Sequence, residues 1–164
     1  MTDMRADPAP DDESVWDYPR PPALVRDARH IVVEFAGVEI ADTTRALRIL
    51  ETSHPPTFYL PLDDVRHDLL RPASGASFCE WKGAAAYVDV VIEDHVAGAA
   101  GWYYPDPSAR YAEIADHVAF YASRVDRCTL EGIDVTPQPG GFYGGWITPD
   151  VVGPFKGGPG TRDR

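Results

Sequence analysis

The feature that most constrains this chain is a succession of short β-branched and aromatic runs cut apart by turn signals. Ile31-Val32-Val33-Glu34-Phe35 and Val38-Glu39-Ile40-Ala41-Asp42 flank Ala36-Gly37, a two-residue link that fits a hairpin. Ala46-Leu47-Arg48-Ile49-Leu50-Glu51 admits either helix or strand, with alternation placing Leu47 and Ile49 on one face and Arg48 on the other. Thr52-Ser53-His54-Pro55-Pro56 stops the run, and Thr57-Phe58-Tyr59-Leu60 follows directly, which favours a second hairpin. Pro61 to Arg66 suits one helical turn with an Asp as N-cap, and Leu69 to Gly75 reads as a loop. Tyr87 to Ile92 and Val96 to Tyr104 form two further strands around Glu93-Asp94-His95. The glycines of the second imply a bend or another backbone close by. Thr129 to Val135 gives a last short strand.

One helix interrupts this pattern. Asp106 fits the N-cap and Pro107 the first helical position, and Tyr111, Ile114, Val118, Tyr121 and Val125 recur every three or four residues on one face. The expected fold is therefore mainly β with one α-helix (α+β), a small antiparallel β barrel or sandwich over residues 23–136. Residues 1–22 hold five Pro and six acidic residues and should be largely disordered, except that Val15-Trp16-Asp17-Tyr18-Pro19 reads as an arm packing on the body. Residues 137–164 hold eight Gly and five Pro, yet Phe142, Tyr143, Trp146 and Phe155 interrupt them, so this tail is expected to fold across the domain.

With 164 residues, 44% of them apolar, the chain can build a single core. Its net charge of -11 argues against partners that are nucleic acid or anionic membrane, while leaving room for a local cationic pocket. Only two lysines stand among the 15 basic residues, and both precede glycine, Lys82-Gly83 and Lys156-Gly157. No apolar run approaches the length of a membrane span, and the acidic, Pro-rich start lacks the marks of a signal peptide. A cytoplasmic protein with reduced thiols is the expectation, although Cys79 and Cys128 leave one disulfide open.

Chemistry concentrates in Ser77-Phe78-Cys79-Glu80-Trp81-Lys82-Gly83 and in Trp102-Tyr103-Tyr104-Pro105-Asp106-Pro107. Lys and Glu are rarely buried unpaired, so this density is not core filling. Lys82 and Arg48 supply positive charge, Tyr59, Trp81, Trp102 and Tyr104 supply flat walls, and Glu51, His54 and Glu80 would orient a ligand or offset charge. Together with Cys79 these residues outline a concave site for a small ligand carrying an anionic group. The competing reading pairs Lys82 with Glu80 or Glu51 at the surface and leaves the rings as core. Cys79 activated by Lys82, with His54 as base, is a candidate nucleophile.

Cys79-Glu80-Trp81-Lys82-Gly83, Trp102-Tyr103-Tyr104-Pro105-Asp106-Pro107 and Val118-Ala119-Phe120-Tyr121 together resemble the domain-of-unknown-function family 427, over roughly residues 28–136. The flanks Val15-Trp16-Asp17-Tyr18-Pro19 and Gly140 to Trp146 resemble those of its actinobacterial members. The resemblance implies a compact, mostly antiparallel β domain with one helix, no established activity, a nucleotidyltransferase-like label, and kinship to tent-like β folds that often carry zinc. The residues do not supply the label's chemistry: Asp63-Asp64 are adjacent, Asp89 stands alone, and no phosphate-cradling loop is present. Nor are there paired C-x-x-C knuckles, so no metal and no cofactor is expected. Three functions remain open: a small-ligand-binding domain acting on an anionic or nucleotide-like molecule, a nucleotidyltransferase-like enzyme, and a non-catalytic interaction module, which would extend to a homodimer if Trp16, Trp146 and Phe155 were exposed.

Overall fold

The computed structural model describes residues 12–140 and 142–156; the disorder expected for residues 1–11 and the end of the tail lie outside the described residues. The chain enters as β1 (Glu13–Ser14), makes a single 3-10 turn at Val15–Asp17, and continues into β2 (Ala23–Asp27), β3 (Ile31–Phe35) and β4 (Val38–Thr43). Ala36 and Gly37 both take positive φ, 51° and 79°, the mirror-image turn whose twist matches that of the strands it joins. Next come β5 (Ala46–Leu50), β6 (Thr57–Pro61), β7 (Leu70–Cys79), β8 (Gly83–Ile92) and β9 (His95–Tyr103). The remainder is β10 (His117–Phe120), β11 (Arg127–Leu130), β12 (Ile133–Asp134), β13 (Thr136–Pro137), β14 (Trp146–Ile147) and β15 (Val151–Val152).

Seven strands form one antiparallel sheet in the order β2-β5-β6-β10-β9-β8-β7, and four form a second in the order β12-β11-β3-β4. No sheet among the described residues closes into a barrel. Strand alternation explains how the two sheets pack. Phe58, Leu60, Val88, Val90, Val118 and Phe120 point from the large sheet into a core shared with Ile31, Val33, Ile40, Cys128 and Leu130 of the small one. The intervening Tyr59 and Ala119 face the other way, toward a second cluster with Leu47, Ile49, Trp102, Tyr104 and Tyr121. The large sheet thus buries one face in a sandwich-like core and builds a site on the other.

The helix expected from Asp106 to Val125 is shorter than that and not of α type. The chain instead makes 3-10 turns over Ala109–Asp116, with non-helical backbone at Tyr111, and then becomes β10. Spacings of three and four aligned residues that belong to two faces: Tyr111 and Ile114 join the site-side cluster, whereas Val118 lies in the sandwich core. The Leu69 to Gly75 loop is likewise largely strand, β7, with a register shift between Pro72 and Ala76. The last strand is a hairpin, since Glu131 and Gly132 both adopt positive φ between β11 and β12. The turn after Pro61 exists as Leu62–Asp64, but no Asp caps it; Asp64 instead accepts from the Thr43 hydroxyl and pairs with Arg45.

Arm and tail both dock. Val15 is fully buried in a cluster with Tyr18, Leu50 and Val151, against which Trp16 and Phe155 pack, and the Trp16 indole N–H donates to the Pro154 carbonyl at 2.9 Å. Trp146 is 1% exposed, stacks on Phe58 at 5.1 Å and donates to the Phe120 carbonyl at 2.9 Å. Of the three rings considered for an association patch, Trp146 is buried and Trp16 and Phe155 are half-buried, all packed against the chain's own domain. Both cysteines are free, Cys128 in the sandwich core and Cys79 against the site-side cluster.

Candidate functional site

A cavity of about 680 Å³ opens on the site face of the large sheet. Nine of the ten residues singled out from the sequence line it: Glu51, His54, Tyr59, Cys79, Glu80, Trp81, Lys82, Trp102 and Tyr104. Arg48 does not. On β5 it sits between Leu47 and Ile49, which face the site-side cluster, so alternation turns it to the opposite face. There its guanidinium pairs with Glu13 at 2.9 Å and Asp27 at 3.2 Å, beneath the arm. Positive charge reaches the cavity from the flanks instead, since Arg20 of the arm and Lys156 of the tail both line it.

The floor is aromatic. Trp102 is 7% exposed, meets Tyr59 edge-on at 6.3 Å and Tyr121 at 4.6 Å, and donates its indole N–H to the Tyr59 hydroxyl at 3.3 Å. Burial raises the pKa of Tyr59 and Tyr104, and raises Tyr121 to about 12, so all three present neutral phenols at ordinary pH. Phe142 and Tyr143 of the tail complete the wall, with the Tyr121 hydroxyl donating to the Phe142 carbonyl at 2.9 Å.

Lys82 lies in the turn between β7 and β8. Ser108 fixes that turn from the neighbouring loop: its N–H donates to the Lys82 carbonyl at 3.0 Å and its hydroxyl to the Trp81 carbonyl at 2.6 Å. Gly83, at φ 108°, lets the Asp106 carbonyl approach. The two sequence motifs are in this way clasped to each other. Lys82 is only 8% exposed, and its ammonium rests 5.6 Å from the centre of the Tyr104 ring. Among the described residues it forms no ion pair with either Glu80 or Glu51, which removes the surface-pair reading.

Glu51 instead stands 3.7 Å from Arg20 and 4.0 Å from the His54 ring nitrogen. His54 is pulled from 6.5 down to about 4, first by burial and then by the charges of Lys156, Arg20 and Lys82, so it is neutral at pH 7. Gln138 holds its other ring nitrogen at 3.2 Å.

Residues 23–131 match the family described as Domain of unknown function (DUF427). The chain belongs to that family. No curated protein matches it. The family region holds the large sheet, the small sheet except β12, and the Lys82 turn, whereas Arg20, Gln138, Phe142, Tyr143 and Lys156 all reach the cavity from outside it. Among the described residues, no group of three or more His, Cys, Asp or Glu side chains gathers as a metal site. Asp89 accepts the Ala99 N–H at 2.7 Å, and Asp64 is engaged with Arg45, so neither belongs to the cavity. No helix among the described residues is long and apolar enough to cross a membrane.

The flanking residues carried a signal that was half legible. Lys156 is one of only two lysines, each placed before glycine. Arg20 and Gln138 carried none, because only the docking of arm and tail brings them to the cavity.

Proposed function

We propose that the cavity binds a small molecule carrying an anionic group beside a flat ring. The observation that carries this reading is Lys82, a residue only 8% exposed whose ammonium reaches an aromatic cavity, 5.6 Å from the Tyr104 ring centre, with no carboxylate partner among the described residues. Its stem is packed away while its charged end is left facing the cavity, where an anion from outside the chain would pair with it. Lys156 and Arg20 add positive charge from the flanks, and Trp81, Trp102 and Tyr104 offer faces for a ring. The volume suits a drug-sized or nucleotide-sized molecule.

A thermal-shift panel of nucleotides, sugar phosphates and aromatic carboxylates tests this on wild type and Lys82→Ala. Nucleotides belong in the panel because the family's nucleotidyltransferase-like label names them. Ligand at a hundredfold excess over its Kd adds about 2.7 kcal/mol, or a shift of roughly 5–10 °C for a chain of this size. Stabilisation of wild type that vanishes in Lys82→Ala supports the reading. Equal stabilisation of both proteins removes Lys82 from the site, and a panel without any anionic hit contradicts the proposal.

A further inference from the structure

We propose that His54 serves the cavity as a neutral hydrogen-bond donor through its Nε2–H, fixed in that tautomer by Gln138, so that the ligand presents an oxygen or other acceptor atom there. This inference rests on the ligand reading above and sharpens it. It also reassigns His54 away from the role of base to Cys79.

Gln138 is 5% exposed. Its side-chain oxygen accepts the Gly145 N–H at 3.0 Å, and its side-chain nitrogen donates to the Lys156 carbonyl at 2.8 Å. Two backbone partners of opposite kind fix which end of the amide is which; a flipped amide would set donor against donor and acceptor against acceptor. The same nitrogen lies 3.2 Å from His54 Nδ1. Since that nitrogen can only donate, Nδ1 must accept, and the ring proton belongs on Nε2.

Nε2 is the atom nearer Glu51, but at 4.0 Å the carboxylate is beyond hydrogen-bond reach. Glu51 is instead drawn toward Arg20. The Nε2–H is therefore left without a partner among the described residues, in a side chain that lines the cavity. The charges that act on the ring most strongly are cations, Lys156 from the tail, Arg20 from the arm and Lys82 from the β7–β8 turn, while the carboxylates lining the same cavity are Glu51 and Glu80. Tyr143 covers the ring edge-on at 4.7 Å, and burial supplies the rest of the resistance to protonation. A neutral donor amid three cations selects an acceptor with negative charge nearby, such as a carboxylate or phosphate oxygen. It rejects an amino or protonated ring nitrogen at that point, because two N–H groups would then face each other.

The tautomer can be read without any ligand. Long-range proton–nitrogen spectra of the histidines, assigned with His54→Gln, should show His54 Nδ1 as the unprotonated nitrogen and Nε2 as the protonated one from pH 6 to 8. Gln138→Glu should reverse or abolish that preference, since a carboxylate there accepts from Nδ1–H; Gln138→Met should loosen it without reversing it. A doubly protonated ring at pH 6.5, or a proton on Nδ1 in the wild type, overturns the proposal. Titration with inorganic phosphate and with benzoate then separates the two levels. Binding that moves the His54 Nε2–H resonance supports the donor role. Binding sensitive to Lys82→Ala that leaves that resonance unmoved refutes the donor role while upholding the anion site. The predicted tautomer with no response to either anion or to the wider panel sinks the ligand reading and with it the donor role.

Discussion

Gly144→Ala is the sharpest structural test, because it asks whether the tail is a wall of the cavity or a loose cover. A Cβ on Gly144 would overlap Cη2 of Trp102 and stand 2.6 Å from Cζ3. Carbon atoms in contact settle at about 3.5–4.0 Å, so one partner must move by roughly an ångström. Trp102 cannot yield. It is 7% exposed, wedged between Tyr59 and Tyr121, and tied by its indole N–H to the Tyr59 hydroxyl. The tail must therefore lift, and lifting breaks the hydrogen bonds from Tyr121 to the Phe142 carbonyl and from the Gly145 N–H to Gln138. Two such bonds at about 1 kcal/mol each, with the contact of Tyr143 on His54, set a loss of roughly 2–3 kcal/mol. For a chain of this length that lowers Tm by about 5–10 °C, measured by calorimetry. Tryptophan emission should shift to the red as Trp102 gains water. An unchanged Tm and unchanged emission would refute the reasoning, since the tail could then not rest where the structure puts it.

Other expectations follow from burial and charge. His54 has a folded pKa below its unfolded value, so the native state resists protonation; the stability this gives is present above pH 6.5 and is lost as pH falls toward 4. About 3 kcal/mol should disappear over that window, and His54→Gln should flatten the pH dependence of the denaturation midpoint there. Arg48→Leu strands Glu13 and weakens the hold on Asp27, so it should cost about 3 kcal/mol in urea denaturation; a neutral result would contradict the buried pairing. Trp146→Ala empties a fully packed position beside Phe58 and should cost about 3–5 kcal/mol by the same assay. Ellman's reagent should titrate one thiol in the native protein and two after denaturation, because burial pushes Cys128 up to about 12 while Cys79 lines the cavity.

Much of this architecture was legible from local pattern. The Ala36-Gly37 turn and the strands on either side follow from turn chemistry and β-branching alone. Gly101 likewise marks where β10 closes on β9: a Cβ there would meet the Ala119 carbonyl at 2.9 Å. What failed was periodicity over Tyr111 to Val125, where helical spacing and the alternation of a strand following a turn coincide. Phe120 and Tyr121 face opposite sides of the sheet, which a continuous helix would not require. The side that Arg48 takes is readable from strand alternation, since Leu47 and Ile49 on either side of it occupy the site face. Arg20, Gln138 and Lys156 were not recoverable from pattern, because their positions depend on how two glycine- and proline-rich flanks dock.

The account turns on Lys82 as the anchor of an anionic ligand. The most direct measurement is a crystal structure of the protein with the best anionic compound from the panel. The account predicts that its charged oxygens lie within hydrogen-bond distance of the Lys82 ammonium, with its ring against Trp81, Trp102 or Tyr104. A compound bound elsewhere on the molecule, or seated in the cavity with its charge turned away from Lys82, would contradict it.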